Sequence, residues 1–223
     1  MLFLAVFCGF LAEYYLEHKI EKERENQFIH SLIEDLGQDI TQFEQNIVTL
    51  KKSMQRLDTL VRLLSSSDIK NHGSDIYYLG RMATRVVQVV IHDRTMQQLK
   101  NSGSFRLIRK EKAVRGIIDY YSELGFLERL EKIESDVMNE YKKSAAGIFH
   151  PILFDNTVSA ENHVIRLSDN PSLVTYDSKL LQYIGVMVDY IKSARRGLLE
   201  EQSYMNVSAK KLILLLKKEC HLN

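Results

Sequence analysis

From Ile29 to Leu64 the apolar residues keep a seven-residue rhythm, and this restricts the fold more than anything else in the chain. Ile29, Leu36, Phe43, Leu50, Leu57 and Leu64 fall at one position of the repeat; Ile33, Ile40, Ile47, Met54 and Val61 fall at a second. The alternation of three- and four-residue steps never slips. Only a long α-helix presents such residues as one stripe. A second stretch, about 177–219, keeps the rhythm through Leu180, Ile184, Met187, Ile191, Ala194, Leu198, Met205 and Leu212, with lapses at Glu201 and Ser208.

The expected fold is all-α: an elongated antiparallel helical bundle of long coiled-coil-like helices, the last packed against the first. β-Branched residues in one seam and leucine in the other also suit a parallel two-stranded coiled coil. Closure within one chain avoids the cost of association. Ile40, Ile47, Leu50 and Leu57 are therefore expected to be buried against residues 180–212 of the same chain, and a homo-oligomer would use another face.

Between the two repeats the chain has few breakers, with two prolines and ten glycines in 223 residues. Asp75 is expected to cap a helix carrying Ile76, Leu79, Ala83 and Val86. The β-branched run Val86–Ile91 reads as a helix end followed by an extended passage. Asp93 has the place of an N-cap for a short helix over 94–101, closed by Gly103 as a left-handed C-cap. Phe105, Leu107 and Ile108 form an apolar plug before a helix over about 112–146. In that helix Tyr120 and Tyr121 point to different faces, so at least one belongs to the core. Residues 150–175 hold both prolines and read as irregular, with one helical turn near 160–166.

Residues 1–12, MLFLAVFCGFLA, carry no charge; Glu13, Tyr14, Tyr15 and a dense charged stretch over 17–25 follow. A bilayer span needs roughly 20 apolar residues, and a signal peptide needs a basic leader that is lacking here. The run reads as the C-terminal half of an uncleaved anchor that begins before Met1. Residues 1–16 are then a partial transmembrane anchor continuous with the first helix, and 17–223 the helical bundle domain. Cys8 and Cys220 lie far apart, without neighbours for a zinc site.

The stretch Ala5–Tyr14 and the residues Asp93-Arg94-Thr95, Gln98 to Gly103, Phe105 to Ile108 and Tyr120-Tyr121 together resemble an uncharacterised bacterial family, a domain of unknown function in membrane-anchored helical proteins. The resemblance covers the chain to about residue 145. It implies a single-pass bacterial membrane protein with its bundle outside the cytoplasm. It brings no activity, cofactor or catalytic residue.

No Glu-x-x-His, His-Glu-x-x-His, phosphate loop, Gly-x-Ser-x-Gly elbow or dinucleotide fingerprint occurs. No catalytic, cofactor-binding or metal residue is expected. The formal net charge of +1 and the basic pairs Lys51-Lys52, Arg195-Arg196, Lys210-Lys211 and Lys217-Lys218, scattered among acids, read as solvated helix faces with no nucleic-acid partner. The one polar cluster is His92-Asp93-Arg94-Thr95. A helix N-terminus there could hold an anion, with plain capping by Asp93 as the simpler account. The expected function is a non-enzymatic, membrane-anchored scaffold or interaction module with an unknown protein partner. The alternative is a helical ligand-sensing domain whose pocket is the 93–103 cap region.

Overall fold

A computed structural model describes residues 2–220. It is all-helical, with long helices packed against one another: α1 Leu2–Leu64, α2 Gly73–Ala83, α3 Arg94–Asn101, α4 Glu111–Ala145, α5 Pro151–Asp155 and α6 Ser178–Glu219. α3, α4 and α6 lie within two residues of their expected bounds. α2 starts earlier than expected, with His72 at its N-cap. Asp75 sits in its first turn and accepts a hydrogen bond from Arg166 Nε at 2.7 Å. Gly73 permits this start, because a Cβ there would run into the Pro171 carbonyl.

Residues 150–175 also differ from expectation. The helical turn is α5, opened by Pro151 in the first-turn position where a missing N–H costs nothing. Residues 160–166 form no helix; Val158 and Val164 pair as an isolated antiparallel bridge.

The chain divides into two compact units. The first takes its residues from 1–43, 90–124 and 204–223, the second from 44–89 and 125–203. In the second unit Leu57, Leu60, Ile76, Tyr77, Met138, Tyr141, Phe149, Ile184 and Ile191 belong to one apolar core. Ser53 meets Arg195, and Asp58 meets Lys192 at 2.7 Å, so α1 and α6 run in opposite senses there, as expected. In the first unit the backbone N–H of Arg109, just before α4, donates to Glu25 at 2.9 Å, while Tyr120 reaches Asp39. α4 therefore runs along α1 in the same sense, unlike an all-antiparallel bundle. Two helices in the same sense need a long connection between them, and α2, an irregular stretch over 84–93 and α3 supply it.

One seam of each repeat is where the sequence placed it. Ile29, Leu36, Phe43, Leu50, Leu57 and Leu64 are buried on α1, as are Ile184, Ile191, Leu198, Met205 and Leu212 on α6. The other seam is displaced by one residue. On α1 it is Leu32, Asp39, Asn46, Ser53 and Leu60 that are buried, leaving Ile33, Ile40, Ile47, Met54 and Val61 half-exposed. On α6 the buried set is Leu181, Val188, Arg195, Gln202, Ala209 and Leu216. Of the polar residues in these seams, Asp39 belongs to a cluster in the first unit, and Asn46, Ser53 and Arg195 to a cluster in the second.

The apolar start of α1 is helical, as are the residues that follow it, and Phe3, Leu4, Phe7, Phe10, Leu11, Tyr14 and Tyr15 are all exposed. Among the described residues no helix is long and apolar enough to cross a membrane.

Candidate functional site

Residues 85–92 form neither helix nor strand, so their peptide groups lack the partners that regular structure supplies. Buried side chains supply them instead. In the second unit Arg195 of α6 is fully buried. Its Nη2 donates to the carbonyls of Ala83 at 3.0 Å and Arg85 at 2.9 Å. Its Nε donates to Glu134 of α4 at 2.6 Å, and its Nη1 to Ser53 Oγ of α1. Glu134 is 1% exposed, so each charge has its counter-charge where water cannot reach. Two further side chains hold the stretch. Asn46 Nδ2 donates to the Gln88 carbonyl at 3.0 Å, and Glu131 accepts from the Val89 N–H at 3.1 Å. Burial pushes the Glu131 carboxyl above its ordinary range.

In the first unit the acceptors are two aspartates one helical turn apart on α1. Asp39 Oδ1 accepts from the His92 N–H at 2.8 Å and faces His92 Nδ1 at 3.0 Å; Oδ2 accepts from the Tyr120 hydroxyl at 2.8 Å. An ionised Asp39 selects the tautomer with its hydrogen on Nδ1. Asp35 Oδ2 accepts from the Thr95 N–H at 3.0 Å, with Arg94 at 3.6 Å from Oδ1. Asp39 is fully buried, and loss of water raises its pKa against the lowering effect of its three hydrogen bonds. The same burial, reinforced by the carboxylate, holds Tyr120 and Tyr121 far above the ordinary phenol range. Both rings stay neutral, meeting edge to face at 5.1 Å between centroids.

Asp93 occupies the N-cap position of α3, but its side chain makes no cap bond; it accepts instead from Gln97 Nε2 at 2.8 Å. Asp35 takes the cap's place, and its carboxylate already fills the anion site that the helix N-terminus offered. Gly103 has φ +65°, the left-handed conformation expected of it. Leu107 and Ile108 are buried in the plug, and Phe105 is half-buried. Tyr120 is a core residue; the half-buried Tyr121 hydroxyl reaches the His92 carbonyl at 3.5 Å. The structure thus joins His92, Thr95, Tyr120 and Tyr121 around Asp35 and Asp39, and leaves Gly103 with the plug.

Sequence reasoning missed Asp35, Asp39, Asn46, Ser53, Glu131 and Glu134. Arg195, read as part of a solvated basic pair, is the most buried cation of the chain's described part. One signal was present: Asp39, Asn46 and Ser53 repeat every seven residues beside the apolar seam. Among the described residues no three His, Cys, Asp or Glu side chains converge into a metal-binding group. The arrangement fixes a chain segment; its polar atoms are engaged with one another and with backbone. Compared with protein-family models, curated proteins and solved structures, the chain matches none.

Proposed function

We propose that this protein is a membrane-tethered, non-enzymatic interaction module of the bacterial envelope, held to the bilayer by the first turns of α1. The observation that supports this is the end of that helix. Phe3, Leu4, Val6, Phe7, Phe10 and Leu11 are each more than half exposed, and Phe3 and Phe7 stack at 6.4 Å. Such a helix, apolar all round, is costly in water and favoured in hydrocarbon. Tyr14 and Tyr15 follow where an interfacial belt would lie, and the charges begin beside them. The engagement of the buried polar groups in holding the chain favours a scaffold role over catalysis.

The test is flotation with anionic liposomes. The intact chain should rise with the vesicles, and Phe7→Asp with Phe10→Asp should leave it at the bottom of the gradient with an unchanged helical circular dichroism spectrum. Equal flotation of both proteins would overturn the tether. Protease treatment of spheroplasts decides the side: a digested bundle places it outside the cytoplasm, as the family resemblance implies, and a protected one inside.

A further inference from the structure

The second unit holds a cavity of about 450 Å³ between the end of α2, the end of α4 and α5, lined by Arg81, Tyr141, Lys142, Ala146, Phe149 and Phe154. This size falls within the roughly 300–1,000 Å³ of small-molecule sites. Its floor is aromatic. Phe149 and Phe154 stack with centroids 4.6 Å apart, and Phe149 lies so close to α2 that a Cβ at Gly80 would run into its ring. Phe149 is therefore part of a fixed wall.

Arg81 is the unusual member. Its guanidinium lies over the Phe154 ring at 3.6 Å from the centroid. Nε donates to Thr157 Oγ1 at 3.2 Å and Nη2 to the Phe154 carbonyl at 2.6 Å. The other three N–H groups have no protein acceptor among the described residues. Asp155 is the acid whose field reaches it, but the two make no ion pair; Arg85, a second cation, opposes that field. Loss of water has the largest effect and lowers the Arg81 pKa, because it disfavours the charged form. Lys142 adds a further exposed positive charge at the rim. A guanidinium drawn partly out of water gains from an anion hydrogen-bonded to its unused donors. Here its free fork points to an anion, and the adjoining stacked rings suit an apolar body.

We infer that this cavity binds a small carboxylate with an apolar tail, its head on the Arg81 fork beside Lys142 and its tail along Phe149 and Phe154. The site is independent of the membrane tether.

The experiment is calorimetric titration of the full chain in nanodiscs, with empty nanodiscs as the blank. The probes are sodium octanoate, 1-octanol and octylammonium chloride. Octanoate should bind about tenfold or more tightly than octanol, the worth of a charge-assisted hydrogen bond, and octylammonium should give no heat above the blank. Arg81→Gln should remove that preference. Ala146→Phe, at an exposed rim position, should fill the cavity and abolish octanoate binding without lowering the melting temperature. Equal affinity for octanoate and octanol, binding unchanged in both variants, or no octanoate heat at millimolar concentration would each overturn the assignment.

Discussion

Where the chain leaves α2, in the second unit, the groups in need of partners are carbonyls, and Arg195 brings donors to Ala83 and Arg85. Where it begins α3, in the first unit, they are N–H groups, and Asp35 and Asp39 bring acceptors to Thr95 and His92. A helix ends in unpaired carbonyls and a partial negative charge; it begins with unpaired N–H groups and a partial positive charge. The sign of each buried clasp follows from which helix end it closes. The clasps also differ in what balances them. Arg195 has a carboxylate partner, Glu134, and the assembly is neutral. Asp39 is surrounded by neutral donors and, where His92 is neutral, retains its charge alone.

That difference can be broken at four places. The largest effect belongs to Arg195→Ala, which leaves Glu134 buried without a counter-charge and two carbonyls without donors. It should cost about 3–5 kcal/mol in urea unfolding. A loss under 1 kcal/mol would mean that the guanidinium holds nothing.

Asp39→Ala should cost about 2–3 kcal/mol, since it leaves the His92 N–H and the Tyr120 hydroxyl unpaired in the core. Asp39→Asn keeps the shape and removes the charge, and its comparison with the wild type reads the lone carboxylate directly. Asp39 holds its proton more tightly folded than unfolded. Between the ordinary carboxylate pKa, near 3.8, and its raised folded value, the native state therefore binds more protons, and stability falls as pH rises. Relative to Asp39→Asn, the wild type should lose stability on going from pH 3.5 to pH 7. A flat difference across that range would show that the donors fully offset burial.

Gly103→Val tests the opposite end of α3, which is closed by the chain's own backbone and not by a borrowed side chain. Nothing lies within 4 Å of a Cβ there, so the cost is that of a branched residue at φ +65° alone. It should be about 1–2 kcal/mol, read from the melting temperature.

The smallest effect has the reverse sign. Gln202 is fully buried in the α6 seam, and neither its amide oxygen nor its nitrogen has a protein partner. Unlike Arg195 one heptad earlier, it clasps nothing. Gln202→Leu should raise stability by about 1 kcal/mol; a loss would show that the amide serves a role like that of Arg195.

The sequence was most legible where apolar meant inward. Leu36, Phe43, Leu50 and Leu57, and likewise Ile191, Leu198 and Met205, are where their spacing put them, and Gly103 took the one conformation that explains its presence. It was least legible where a polar residue competed with an apolar neighbour. Asp39 beside Ile40, Asn46 beside Ile47 and Ser53 beside Met54 offered two stripes one residue apart, and hydrophobicity favours the second. The structure chose the first because an unpaired passage over 85–92 needs hydrogen bonds more than those three positions need further apolar surface. That need cannot be read at Asp39 itself, since its partners lie 53 and 81 residues away. Arg195 was misread for the same reason, its carbonyl partners being 110 and 112 residues distant. Asp93 failed as a cap because a carboxylate from α1 was already there.

These separations give the two clasps different birth times on the ribosome. The aspartates, His92, Thr95 and Tyr120 all precede residue 125, so every partner of that clasp has been synthesised while α6 is still unmade. The carbonyls of Ala83 and Arg85 must wait for Arg195, some 110 residues later. Until then Glu134 has no guanidinium, and Asn46 and Glu131 hold the chain beyond α2 at Gln88 and Val89 without the help of Arg195. With long-range contacts the slow ones to form, the last helix acts as the latch, and a nascent chain halted before residue 195 exposes the second unit's buried acid to water.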